Sequence, residues 1–121
     1  MDIRKLQKIA VAALEDIKAK DIEVINTIKL TSLFDRIIIA SGDSTRQVKS
    51  LARNVFDKVR EAGGTVYGIE GEESGEWVLV DLGDIVIHVM QPAVRAHYNL
   101  EELWKAKPAR ARPAKAADAA E

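Results

Sequence analysis

The stretch from Trp77 to Met90, WVLVDLGDIVIHVM, decides the architecture. Two apolar runs meet at Leu82-Gly83-Asp84-Ile85, and Gly-Asp at the centre suits a two-residue type II′ turn, whose first central residue needs a positive φ. A β-hairpin with a fixed register follows. Pairing Leu82 with Ile85 sets Val80 against Ile87 and Val78 against Val89 on one face. On the other face Trp77 meets Met90, Leu79 meets His88 and Asp81 meets Val86. The first face is aliphatic throughout and reads as core. The second mixes an indole, a thioether, an imidazole and a carboxylate, which is poor composition for a core and good composition for a contact surface.

On the N-terminal side, Leu6, Ile9, Ala10, Ala13, Leu14 and Ile17 recur at helical spacing among charged residues, which predicts an amphipathic helix over about residues 2–19. Ile22, Val24 and Ile28 predict a short strand. Phe34 to Ala40 predicts a second strand, central in the sheet, because Ile37-Ile38-Ile39 is apolar on both faces. Ser41-Gly42-Asp43 breaks it, and Ser44 with Gln47 three residues on forms a capping box that opens a helix from Thr45 to about Ala62. Gly63-Gly64 ends that helix, and Thr65 to Ile69 starts another strand. After the hairpin, Pro92 stops the strand, and Val94, Tyr98, Leu100, Leu103 and Trp104 place a single helix over Ala93 to Lys105. The predicted fold class is α/β in the α+β sense: a mixed sheet flanked by helices, in the order helix, strand, strand, helix, strand, hairpin, helix.

With 121 residues the chain has room for one domain and a modest core. That domain is expected over residues 1–107. From Pro108 the sequence PARARPAKAADAAE has no large apolar residue to offset the entropy of ordering, so residues 108–121 are expected to be a disordered Ala/Arg/Pro-rich tail. The chain has no cysteine, which removes disulfides and thiolate chemistry and fits a reducing compartment. The N-terminal MDIRKLQKIAVAALEDIKAK has no uninterrupted apolar run, and no segment approaches the roughly 20 apolar residues of a membrane helix, so a soluble, cytoplasmic protein is expected. The net charge of -1 and pI near 6.1 argue against whole-molecule attraction to phosphate.

Several local patterns invite a chemical reading. Strand, Ser41-Gly42-Asp43-Ser44, then helix is a geometry able to hold a phosphate at the first amides of the helix, but the lysine of a Walker-type loop and a GxGxxG are both missing. The same residues are accounted for as a turn and a cap. Asp81, Asp84 and His88 have metal-ligand chemistry, yet the hairpin register keeps them from converging. Ser41 or Ser44 with His88 and an aspartate lacks any nucleophile elbow. No catalytic residue, metal or cofactor is therefore assigned. The carboxylates Glu70, Glu72, Glu73, Glu76, Asp81 and Asp84 surround Trp77 in sequence. Alone they would be a solvated loop; beside an indole and a methionine they indicate a surface for a basic partner. Arg95, His97 and Tyr98 supply its rim, or else Tyr98 joins Leu100, Leu103 and Trp104 in the packing stripe of the helix. Arg110, Arg112 and Lys115 in the tail offer a weaker possibility of RNA contact.

The run IEGEESGEWVLVDLGDIVIHVMQ, followed by Tyr98-Asn-Leu-Glu-Glu-Leu-Trp104, resembles the signature of the ribosomal silencing factor family, also called Iojap-like proteins. Phe34-Asp35, Ile39-Ala40-Ser41-Gly42, Ser44 and Arg46-Gln47-Val48 resemble an earlier motif of the same family, and the similarity runs from about Leu6 to Trp104. The resemblance implies a mixed, nucleotidyltransferase-like fold without catalysis. It also implies a cytoplasmic bacterial factor that binds the large ribosomal subunit through ribosomal protein uL-fourteen. There it would block joining of the small subunit and repress translation in stationary phase or nutrient limitation. Together with the residue chemistry, it assigns partner binding to Glu70, Trp77, Asp81, Asp84, Met90 and Tyr98. A homodimer of the free protein through the same apolar face is a further expectation. The rival reading is a nucleotide-binding enzyme that uses the Ser41–Ser44 turn.

Overall fold

The computed structural model describes residues 1–106, so the predicted tail lies outside the described residues. The elements are α1 (Ile3–Asp16), β1 (Lys20–Asn26), β2 (Arg36–Ser41), α2 (Thr45–Glu61), β3 (Gly68–Glu70), β4 (Trp77–Asp81), β5 (Ile85–Met90), α3 (Pro92–Tyr98) and α4 (Leu100–Ala106). The five strands form one sheet in the order β1-β2-β5-β4-β3, antiparallel except where β2 runs parallel to β5. This is the mixed α+β sheet the sequence predicts.

The β4–β5 hairpin has the predicted register at every pair from Trp77↔Met90 to Asp81↔Val86. At its turn the Leu82 N–H donates to the Ile85 carbonyl at 2.9 Å, and Gly83 takes φ +87°, the conformation a type II′ turn demands of its first central residue. A side chain at Gly83 would also meet Tyr67, whose Cε2 lies 2.8 Å from where the Cβ would sit.

The sheet divides its residues by parity. Ile38, Ala40, Val78, Val80, Ile85, Ile87 and Val89 face α1 and α2 and form the main core with Leu6, Leu14, Val48, Leu51 and Val55. At about 25 cal/mol per Å² of apolar surface removed from water, this layer supplies most of the hydrophobic stabilisation. Ile25, Ile37, Ile39 and Met90 face the other way and pack under Phe34, Val94, Leu100 and Trp104. Ile37, Ile38 and Ile39 are all buried, as their run predicts, although β2 sits one place from the middle and β5 is the central strand.

Ser44 caps α2 as predicted, its Oγ accepting from the Gln47 N–H at 3.0 Å. The return bond differs from the usual box. Gln47 Oε1 accepts from Asp43 N–H at 2.7 Å, one residue ahead of the cap. Other boundaries also differ: α1 ends at Asp16 rather than near residue 19, β1 ends at Asn26 and leaves Ile28 outside it, and β2 starts at Arg36 rather than Phe34. β3 begins only at Gly68, and the single C-terminal helix is two, split at Asn99, which adopts the left-handed conformation at φ 49°. Asparagine tolerates that region better than other residues with a Cβ, and apolar spacing alone does not register the break.

Candidate functional site

Helices α1 and α2 cover most of one face of the sheet, leaving Val24 of β1 exposed, whereas α3 and α4 cover only part of the other. The Phe34 and Trp104 rings meet edge to face, 5.4 Å apart, and Lys105 pairs with Glu23 on β1, so α4 is held over the β1–β2 side. The β4–β5 side of that face is left as an open groove of about 630 Å³. Trp77, Leu79, Asp81, Val86 and His88 line it from the two strands. Leu100 and Trp104 line it from α4, and Leu33 and Tyr67 stand along it, 80% and 69% exposed. Large apolar side chains exposed in one continuous depression mark a contact site rather than scattered surface.

Trp77 is fixed at the end of this groove. Its Nε1–H donates to His88 Nδ1 at 2.9 Å, a diagonal contact across the hairpin. Its ring lies 4.8 Å from that of Tyr98. Behind it, Gly71 packs where a Cβ would come within 2.2 Å of the Trp77 carbonyl oxygen, so the acidic loop folds back tightly on β4. Gln91 pins that loop from the other side, donating to the Gly75 carbonyl and to Thr45 Oγ1. Burial holds the His88 ring well below the usual histidine range, at about 4, so it is neutral at physiological pH.

Five of the six residues assigned from sequence are accessible around this groove or its end. Glu70 lies exposed at the β3 edge, in register with Leu79. Asp81 lines the groove, with Oδ1 accepting from the Gly83 N–H at 2.8 Å, and Asp84 is exposed at the hairpin tip. Tyr98 is 54% exposed and lies against the Trp77 ring outside the groove rather than in a packing stripe. Met90 is the correction. It faces the predicted side, but α3 and α4 cover that end of β5 and leave it 0% exposed among Ile25, Ile37 and Ile39, so it is core.

The acidic cluster also divides. Glu72 turns to α2 and pairs with Arg53 at 2.8 Å, whereas Glu70 and Asp81 share the groove face. Arg95, expected as rim, is instead mostly buried, bonded to Glu101 at 2.7 Å and to Ser41 Oγ at 2.8 Å. Burial of the Glu101 carboxyl opposes its ionisation, but the Arg95 hydrogen bond, a backbone hydrogen bond and the positive charges of Arg95 and Lys105 together outweigh that and hold it below the usual range. Leu33 and Tyr67 were missed. Both sit in segments without periodicity, and only the turn signal at Gly83, against which Tyr67 packs, pointed near them.

The Ser41–Ser44 turn is occupied by internal bonds. Gly42 N–H donates to the Met90 carbonyl and Asp43 N–H to Gln47, Ser41 accepts from Arg95, and the Asp43 carboxylate pairs with Lys20 at 2.6 Å. A phosphate there would meet a carboxylate and amides already in use. Among the described residues no three His, Asp or Glu side chains converge to hold a metal, and no helix is long and apolar enough to cross a membrane.

Comparison with known proteins accords with this fold. The family model described as "Ribosomal silencing factor during starvation" matches residues 1–121. The chain is 61% identical over 104 residues to ribosomal silencing factor RsfS of Chromobacterium violaceum, covering 86% of this chain and 85% of that protein. It is 40% identical over 104 residues to RsfS of Bacillus subtilis, covering 86% and 88%. A crystal structure of a Chromobacterium violaceum protein superposes with a TM-score of 0.86 at 58% identity, over 95% of this chain and 97% of that one. The chain belongs to the ribosomal silencing factor family.

Proposed function

We propose that the protein represses translation by obstruction: it docks on the large ribosomal subunit through ribosomal protein uL-fourteen and keeps the small subunit from joining. The observation that carries this reading is the open apolar groove closed at one end by Trp77 and edged by carboxylates. Between Thr65 and Met90 the chain carries no lysine or arginine, and with Glu72 turned away to Arg53, Glu70 and Asp81 leave the groove face acidic and matched to a basic partner. Trp77, held in place before any partner arrives, is the anchor, and Glu70, Asp81, Asp84 and Tyr98 surround it. No chemical step is needed; a body of 13.3 kDa seated on a joining surface excludes the other subunit sterically. The site of action is cytoplasmic. The same groove, when empty, is the face through which two free copies would pair.

Sedimentation of purified large and small subunits with the protein tests this. Co-migration with the large subunit together with loss of joined ribosomes is the expected result; protein left at the top of the gradient with normal joining refutes it. Trp77→Ala should weaken binding to isolated large subunits by about 2 kcal/mol or more, roughly 30-fold, as loss of a central aromatic anchor does.

A further inference from the structure

The hydrogen bond between Trp77 and His88 constrains more than the indole. An imidazole nitrogen that accepts a bond carries no proton, and a neutral ring then bears its single hydrogen on the other nitrogen. Because Trp77 Nε1 can only donate, His88 Nδ1 is the acceptor and Nε2 bears the hydrogen. His88 projects from β5 between Val86 and Met90 on the groove face, opposite Leu79. It lines the groove, and its Nε2 is not among the buried unpartnered atoms, so the donor edge of the ring belongs to an otherwise apolar stretch of floor formed by Leu79 and Val86.

A fixed donor set in an apolar floor selects its occupant. An occupant that buries the floor without offering an acceptor leaves Nε2–H desolvated and unpaired, which is penalised; one that offers an oxygen is rewarded. The neighbouring carboxylates select for positive charge. We infer that His88 is a positioning and specificity residue with two jobs. Its Nδ1 holds Trp77 in the docking orientation, and its Nε2–H receives a hydrogen-bond acceptor, such as a main-chain carbonyl, presented by a basic segment of the partner. This deepens the docking reading above and rests on it.

Two isosteric substitutions separate the jobs. Asparagine places its Oδ1 where Nδ1 lies and has nothing at Nε2; glutamine places an N–H donor near Nε2 and loses the Nδ1 acceptor. In wild-type protein at pH 7, nitrogen NMR should show His88 as the Nε2–H tautomer; the Nδ1–H tautomer overturns the proposal without any variant. In His88→Asn the Trp77 indole N–H signal should stay at its hydrogen-bonded position while affinity for large subunits falls about five-fold, the worth of one hydrogen bond. In His88→Gln the indole signal should move and broaden, again with weaker binding. Wild-type affinity in His88→Asn removes the specificity role, and an unmoved indole signal in His88→Gln removes the positioning role. If the wild-type protein itself fails to bind large subunits, the docking reading falls, and the tautomer and indole signals still decide whether His88 holds Trp77.

Discussion

Lowering the pH from 7 to 5 should cost the folded protein about 2 kcal/mol through His88 alone. Burial holds the ring near 4 in the folded state, against 6.5 for the free side chain. That difference is about 2.5 units, or about 3 kcal/mol in full. A lowered folded-state value means that the unfolded chain takes up the proton first. The contribution is therefore complete above pH 6.5, declines as the unfolded ring charges, and is exhausted once the folded ring titrates near 4. At pH 5 the unfolded ring is about 97% protonated and the folded ring about 10%, which leaves a deficit of about 2 kcal/mol relative to pH 7. Glu101 is held below its usual range, so its contribution is lost only on further acidification. The assay is urea unfolding followed by circular dichroism at both pH values, on wild type and on His88→Asn. The wild type should lose about 2 kcal/mol more across the window than the variant. Equal losses would refute the assignment of His88 as a half-buried ring held neutral.

Other expectations follow from the hairpin and its surroundings. Asp81→Asn keeps an oxygen for the Gly83 N–H while removing the charge; association with large subunits should slow at low salt and depend less on ionic strength, and an unchanged salt profile would count against charge complementarity. Gly83→Ala meets both the positive φ and the Tyr67 ring, and should cost about 1–2 kcal/mol, visible as a lower melting temperature with the turn intact in other respects. Met90→Ala should destabilise by about 2–5 kcal/mol as a cavity in the second core, whereas Met90→Leu should leave affinity for large subunits near wild type. A loss of affinity in Met90→Leu at full stability would return Met90 to the binding surface.

How much of this was legible in the sequence depends on the range of the interaction involved. The hairpin register was legible because a two-residue turn fixes every pair behind it, and parity does the rest. The α2 cap was legible because Ser44 and Gln47 act within one turn. The fate of Met90 was not. Trp77, His88 and Met90 share one face by parity, and only the placement of α3 and α4 separates the buried residue from the two that line the groove or its end. Glu72 was unreadable for the same reason. Its partner Arg53 lies 19 residues away on α2, and a run of carboxylates carries no mark of which one will cross to the helix side. Leu33 and Tyr67 sit in irregular segments, where an exposed apolar residue has no period to betray it.

What keeps the groove open is the break at Asn99. Helices of seven residues are too short to hold themselves, so α3 and α4 depend on tertiary anchors. Arg95 supplies one on each side of the break: Nε to Glu101 on α4, and Nη1 to Ser41 at the end of β2. Together with the Phe34–Trp104 contact and the Lys105–Glu23 pair, this fixes α4 over the β1–β2 half of the sheet. One face of the sheet is thereby split in two, with Ile25, Ile37, Ile39 and Met90 sealed under α3 and α4 while Leu79, Val86 and His88 stay open. The stabilising contacts of that face lie mainly under the C-terminal helices and its contact chemistry lies beside them. Trp77 is the residue shared by both, packed at the edge of the second core and also lining the groove. An anchor rooted in a core on one side has little conformational entropy left to lose on binding, which is the physical reason a fixed indole suits this position better than a flexible apolar side chain.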